Sequence, residues 1–380
     1  MTILPEFDFS IPLIVFLFFV FFIIVQLTYL FFIYMRFAVY NKKMEQVNND
    51  FTPPVSIIIA ARNESDNLFQ NLPTILSQDY PDFEVIVVNH QSIDESYNVL
   101  NALKLSYNNL KIIEVERSKH LGNGKKLPLT LGIKSATSDY MIFTDADCLP
   151  ASKLWLRNIV SGFGRGGQIV IGHGPFRKEK GFLNSIIRLD AVFIAVNYFS
   201  FALANIPYMG VGRNLAYTKK AFNSVSGFKT HYSISSGDDD LFVQEASIQN
   251  NVVVHIDKES YCYSSTKPTW KEYLQQKSRH YSTSSKYTFI KKSLLGIYPL
   301  SLFMMAVCFV SLLFDLEYML MSCILIVALT SIKWIVLGIC FTKLDGKRFV
   351  LFLPLLELFY YLMITCMYYL SEKPKLSKWR

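Results

Sequence analysis

Apolar positions along the 380-residue chain fall into two kinds of run. The first kind is long and unbroken. From Ile11 to Met35, "IPLIVFLFFVFFIIVQLTYLFFIYM" has no charged residue, and only Gln26 and Thr28 are clearly polar. A stretch of that length crosses a hydrocarbon core as a helix. No basic segment precedes it and no small-residue cleavage site follows, so it reads as a retained anchor rather than a signal peptide. Three more such runs lie near 294–314, 319–341 and 349–370. The second kind is short and falls within 52–290, a mixed segment sized for one soluble α/β domain.

Within that segment the short runs alternate with helical patterns. "VSIIIAARNE" (55–64) reads as a buried strand, and Leu68, Leu72, Ile75 and Leu76 follow at helical spacing. "EVIVVNHQS" (84–92) predicts a second strand, with a helix from Asp94 to about Leu105. "NLKIIEVE" (109–116) predicts a third, "GKKLPLTLGIKSA" (124–136) a helix, and "YMIFTDADC" (140–148) a fourth strand. Strands this apolar, alternating with helices, predict a mostly parallel sheet covered on both faces. Ligands in such sheets bind outside the carboxyl ends of the strands. Asn63–Glu64, Asn89–His90 and Asp145–Asp147 fall at those ends. The run 182–204 predicts a core or interfacial helix.

Composition changes this picture little, because the 51% apolar content is concentrated in the long runs. Charge adds an orientation. Glu6 and Asp8 precede the first span, and Arg36, Lys42 and Lys43 follow it. Lys286, Lys291 and Lys292 precede the second, Asp315 and Glu317 separate the second from the third, and Lys343, Lys347 and Arg348 separate the third from the fourth. The positive-inside rule then places the soluble domain in the cytoplasm of an integral membrane protein. The net charge of +8 reads as membrane-flanking lysine, with a surplus for anionic lipid or phosphate ligands. No basic helix or aromatic RNA motif supports a nucleic-acid partner. Cys148 and Cys262 lack metal-ligand spacing and the other four cysteines sit in apolar spans, which excludes a disulfide framework and a zinc site.

The candidate chemistry begins with Asp145 and Asp147. Two carboxylates at a strand end suit a hard divalent cation that leaves positions open for phosphate oxygens. With them, the chain resembles the membrane-anchored family-2 glycosyltransferases of the GT-A fold over about residues 54–290. "SIIIAARNE" resembles that family's first nucleotide-binding strand, and "TDADC" (144–148) its D-x-D motif for metal and sugar diphosphate. "GVGRNLAYTKKAF" (210–222) resembles its acceptor-side segment, "GDDD" (237–240) the acidic motif with the catalytic base, and "QKSRH" (276–280) the Q-x-x-R-W motif. The resemblance implies a Rossmann-like GT-A domain flanked by transmembrane helices. It also implies a nucleotide-sugar donor, a glycolipid or glycan acceptor, and Mg²⁺ or Mn²⁺ on Asp145 and Asp147.

Residue by residue, it implies Asp239 as base, with Asp238 as the second choice, and Arg279 beside the leaving diphosphate. Ala61, Asn63, Glu64, Asn89, Asp94 and Lys125 are expected on the nucleotide sugar. Gly212, Arg213, Asn214, Asp240 and Gln276 are expected on the acceptor side. Lys125 and Lys126 read first as a solvated helix face, with Lys125 kept as a diphosphate candidate. Thr269 and Glu272 have capping-box spacing and open a helix on which Gln276 and Arg279 share a face. The chain departs from the family in two places. Asn89 and His90 stand where acidic residues are frequent, which leaves the nucleotide base open. His280 stands in place of Trp, which leaves processivity open. Neither histidine is expected to be catalytic.

The alternatives are a polyprenyl-phosphate sugar synthase and a transport subunit with a non-catalytic nucleotide-binding domain. The last run also leaves a choice. Its length and late position favour four crossings with both termini outside the cytoplasm. Its Pro354 and Glu357, and the Lys- and Arg-rich tail 371–380, favour a segment that dips in and returns. Pairing of Glu357 with Lys333 inside the bundle would permit a true crossing, and four crossings is the expectation adopted.

Overall fold

Strand β1 (Val55–Ala61) is buried along its whole length, as a central strand with both faces covered must be. In the computed structural model, which describes residues 10–41, 51–118, 124–234 and 236–370, β2 (Phe83–His90) and β3 (Leu110–Val115) follow on one side of it. Strand β4 (Tyr140–Asp145) lies on the other, all four strands being parallel. Beyond them come β5 (Cys148–Pro150), β6 (Ile169–Ile171), β7 (Leu215–Thr218), β8 (Val252–Val254) and β9 (Cys262–Ser264). The seven-stranded sheet is ordered β3-β2-β1-β4-β7-β6-β8, and β7 runs antiparallel to both its neighbours. β5 and β9 form a separate antiparallel pair. The fourth strand expected from the sequence is therefore two: β4 stops at Asp145, and the chain turns before pairing with β9.

Side chains of a strand alternate between faces, and β1 divides accordingly. Ile57 and Ile59 join Leu68, Leu72, Trp155 and Ile159, which belong to the helices Ser65–Leu76 and Trp155–Gly164. Ile58 and Ala60 join Leu129 and Ile133 of the helix Lys126–Ser135. The same second core continues into the helix Phe182–Leu203 and on to residues of the long apolar helices, among them Phe37, Phe341 and Tyr360.

Five helices are long and apolar enough to cross a membrane by length and composition: Ile11–Val39, Phe182–Leu203, Phe289–Leu312, Met319–Lys343 and Lys347–Leu370. The helix Phe182–Leu203 differs from the rest because it is mostly buried inside the protein. The first helix contains a π-turn over Leu30–Tyr34. Its last carbonyls, at Phe37 and Ala38, accept from the Lys343 ammonium at 2.9 and 2.7 Å, which satisfies groups a helix end leaves without partners. Glu6, Asp8, Lys42, Lys43 and the basic tail 371–380 lie outside the described residues.

Inside the helix bundle, Lys333 pairs with Glu357 at 2.7 Å and donates to Gln26 Oε1 at 2.7 Å. Gln26 in turn donates to the Tyr298 carbonyl and to Ser301 Oγ, and Tyr298 OH donates to Glu357. Removing one partner of a buried ion pair leaves an uncompensated charge and typically costs about 3–5 kcal/mol, whereas replacing both by apolar groups is far cheaper. Glu357→Leu should therefore lower thermal stability in detergent sharply, and Lys333→Met added to it should recover most of the loss. A single variant as stable as the parent would show that the pair holds nothing together.

Candidate active site

The D-x-D turn and the acidic run meet through one lysine. Lys125, at the start of the helix Lys126–Ser135, forms an ion pair with Asp145 and lies 3.6 Å from Asp238. The two motifs, far apart in sequence, thus face each other across a single ammonium group. Burial alone would lower Lys125, but Asp145 and Asp238 outweigh it and raise the group above the usual range. Lys126 is also buried and donates to the carbonyl oxygens of His231 and Ile234. The solvated face expected for these two lysines is thus corrected: Lys125 enters the site and Lys126 anchors the segment that leads into the acidic run.

Asp145 is buried enough to be raised, yet Lys125, Arg213 and Arg279 together hold it below its ordinary value. Arg213 lies over the Phe176 ring at 4.1 Å. Asp147 accepts from Ser264 Oγ of β9 at 2.9 Å. The ligand atoms of Asp145, Asp147 and Cys148 lie within 4.8 Å of one another. Burial raises the Cys148 thiol well above its usual value, so it stays protonated and is a poor ligand. The donor set is therefore two half-buried carboxylates, which fits Mg²⁺ or Mn²⁺ better than a soft metal.

Asp239 caps the helix Asp240–Ala246. Its carboxylate accepts from the backbone N–H of Asp240 at 2.8 Å and of Gly212 at 3.0 Å. Burial first, then Asp238 and Asp240, push it up to about 7. A carboxyl near neutrality, held by backbone donors, is suited to accept a proton. A Cβ at Gly212 would stand 3.5 Å from both Asp239 Oδ2 and Lys125 Nζ, so this backbone passes directly over the cluster. Glu64, at the end of β1, is raised to about 7 by burial against a hydrogen bond from Asn67, with Asp147 and Asp145 adding to the rise.

Several candidates are engaged elsewhere. Asn214 is wholly buried: its Nδ2 donates to the carbonyls of His173 and Ser260, and its Oδ1 accepts from Trp155 Nε1. Its acceptor role is corrected to fastening loops behind the site. Asp240 is buried under the hydroxyls of Thr283 and Tyr287, so it ties the acidic run to the helix Trp270–Ser284 instead of meeting an acceptor. Asp94 accepts from the N–H of Ser65 and Ser96 at 2.9 and 3.1 Å, and Asn63 accepts from Ile93 N–H at 2.9 Å with its own φ at 53°. These two clasp the ends of β1 and β2 together. Asn89 donates to Glu114 Oε2 at 2.9 Å and accepts from Ser92 Oγ. Both halves of its amide are occupied, and exposed Glu114 is left as a rim carboxylate that the sequence pattern did not single out. Ala61 is buried in β1 and contributes only backbone. Gln276 and Arg279 are half-buried on the helix Trp270–Ser284, which Thr269 caps through Glu272 N–H as its spacing predicts. His280 is exposed there.

The parallel sheet with its antiparallel extension has the arrangement of the GT-A glycosyltransferase fold. Residues 56–225 match the model of glycosyl transferase family 2. Among solved structures, the mannosyltransferase PcManGT from Pyrobaculum calidifontis, in complex with GDP-Man and Mn²⁺, aligns over 92% of this chain and 99% of its own. The two share 16% identity at a TM-score of 0.57, a likeness of fold. Poly(ribitol-phosphate) beta-glucosyltransferase of Bacillus spizizenii is 33% identical over 27% of this chain and 16% of its own length. Glycosyltransferase AglE of Haloferax volcanii is 29% identical over 34% of this chain and 42% of its own. The alignment thus spans less than half the length of either curated relative.

Proposed function

We propose that the protein is a membrane-bound inverting glycosyltransferase that moves a sugar from a nucleotide-diphosphate sugar, a UDP-sugar in the first instance, to a glycolipid or growing glycan. The observation that carries this reading is Lys125 standing between Asp145 of the D-x-D turn and Asp238 of the acidic run. A donor diphosphate and an acceptor hydroxyl must be held side by side, and this contact joins the two motifs that would hold them. Asp145 and Asp147 would hold Mg²⁺ or Mn²⁺, which neutralises charge on the departing diphosphate. Asp239 takes the proton from the acceptor hydroxyl as its oxygen bonds to the anomeric carbon and the bond to the diphosphate breaks. Arg213 and Arg279, whose charges help hold Asp145 below its ordinary value, would add positive charge for the leaving group. The flanking charges and apolar helices support a catalytic domain on the cytoplasmic face.

Purified protein in detergent, supplied with a panel of nucleotide sugars and Mn²⁺, should release nucleoside diphosphate slowly without an acceptor. EDTA should abolish that release. No hydrolysis or transfer from any nucleotide sugar, with or without metal, would overturn the reading in favour of a non-catalytic nucleotide-binding subunit.

A further inference from the structure

The last apolar helix keeps company with the catalytic domain along its second half. Its path can be followed contact by contact. After Lys343 the chain makes a tight turn in which Asp345 adopts φ 58° and Gly346 leaves no room for a side chain, since a Cβ there would lie 2.9 Å from both Phe341 O and Val192 Cγ1. Asp345 is fixed to β9 and its flank by Tyr263 OH at 2.8 Å and Lys258 at 3.1 Å. A 3₁₀ segment, Lys347–Phe352, then climbs beside the third span, where Val350 O accepts from Trp334 Nε1 at 2.6 Å.

The helix Leu353–Leu370 starts there, with Pro354 in its first turn, where a missing N–H is harmless. Glu357 meets Lys333 at mid-bundle. Three residues later Tyr360 stacks on Phe193, centroids 4.0 Å apart, and its hydroxyl donates to Asp190 at 3.4 Å. Met363 and Met367 then pack with Ile187, Phe176 and Tyr273, and the Tyr368 ring lies 5.6 Å from that of Tyr281. The partners on the helix Phe182–Leu203 thus run backwards, from Phe193 through Asp190 to Ile187, as the last helix runs forwards. The other partners, Tyr273 and Tyr281, belong to the helix that precedes the second span. Asp190 is shared: it also pairs with Lys277 at 2.5 Å and accepts from Tyr273 OH at 2.8 Å.

A helix crossing to the far side would end beside the outer ends of the other spans. Those ends form the cluster of Phe19, Met305, Leu312 and their neighbours, and among the described residues the last helix offers it only Leu358 and Tyr361, both from its first half. The outward face of the last helix is apolar: Leu355, Phe359, Leu362, Tyr369 and Leu370 are exposed at helical spacing.

We infer that the segment 347–370 is a re-entrant element: it enters the bilayer beside the third span and returns along the catalytic domain. Its outward face is covered by the hydrocarbon of the leaflet on that side. The described residues then cross the membrane three times, and Leu370 lies on the same side as the catalytic domain. The four crossings expected from the sequence are replaced. The basic tail, with Lys373, Lys375, Lys378 and Arg380, falls where the positive-inside rule favours it.

The side named for that leaflet rests on the cytoplasmic placement of the catalytic domain, and the test separates the two. In the full chain, Cys308, Cys323 and Cys366 are replaced by Ser while buried Cys148, Cys262 and Cys340 stay. Single cysteines are then placed by Ser106→Cys in the catalytic domain, Phe314→Cys between the second and third spans, and Ser377→Cys in the tail. A membrane-impermeant maleimide is applied to intact and to opened cells. Labelling at 314 in intact cells, with 106 and 377 labelled only after opening, is the expected result. Labelling of 377 in intact cells together with 314 would overturn the inference. If 106 itself reacts in intact cells, the cytoplasmic placement fails, and the re-entrant path stands or falls on whether 377 follows 106 or 314.

Discussion

Asp239→Asn should abolish sugar transfer while leaving donor binding in place. General-base catalysis by a positioned side chain contributes about 10²–10⁴-fold, and an amide cannot accept the acceptor's proton. The substitution is nearly isosteric but has a structural cost that can be separated from the chemistry. Both Asp239 oxygens accept from backbone N–H groups, those of Asp240 and Gly212. Asn offers one acceptor and one donor, so one of these bonds is lost, at a cost of about 1 kcal/mol. A small loss of thermal stability, an unchanged nucleotide-sugar affinity and a transfer rate down by about 10³-fold form the expected set. If Asp238→Asn is dead and Asp239→Asn active, the cluster holds the base but the proton goes to its neighbour.

The same residue sets the pH dependence. Burial and the flanking carboxylates raise Asp239 to about 7, and the basic form is the one that works. Transfer measured as kcat/KM should therefore fall tenfold per pH unit below about 7 and level off above it. Asp239→Asn should remove that limb. A profile flat from pH 5 to 8 in the parent enzyme would place the base elsewhere.

What the sequence made legible divides along physical lines. The first four strands and their helices were visible because each is a local pattern: β1, β2 and β4 are apolar runs that end in polar residues, and the helices between them carry apolar positions at helical spacing. The pairing of Lys333 with Glu357 was visible because few charges interrupt the apolar runs and each needs a partner. Hidden features depend on contacts between distant residues. Ser264 touches Asp147 across 117 positions, and no spacing rule links a lone serine to a D-x-D turn. Lys125 looked like a solvated lysine because helix periodicity says nothing about what the end of a helix faces. Asn214 and Asp240 sit inside motifs whose neighbours face the site, and motif position alone does not distinguish a side chain turned inward. The path of the last helix's second half was not legible because length and apolarity are equally satisfied by a helix across a membrane and one lying along a protein face.

Asp147→Ala should reduce transfer to the level of chelator-treated parent enzyme, and adding Mn²⁺ should not restore it. Divalent metals contribute several kcal/mol of charge stabilisation in reactions of this kind, and each 1.36 kcal/mol is tenfold in rate, so the loss is on the order of 10³-fold. The fold should survive: Asp147 is half-exposed, and apart from its own neighbour Cys148 its side-chain partner is the Ser264 hydroxyl. That hydroxyl supplies a graded companion to the test. Ser264→Ala leaves both carboxylates in place but frees Asp147 to rotate, and loss of such a supporting bond typically weakens metal binding by about 10–100-fold. Its activity should therefore return at high Mn²⁺, with a raised half-saturating concentration and an unchanged maximal rate. Full activity of Asp147→Ala in EDTA would show that the D-x-D turn holds no catalytic metal. A loss in Ser264→Ala that no amount of Mn²⁺ repairs would instead assign the serine to the packing of β9 against β5.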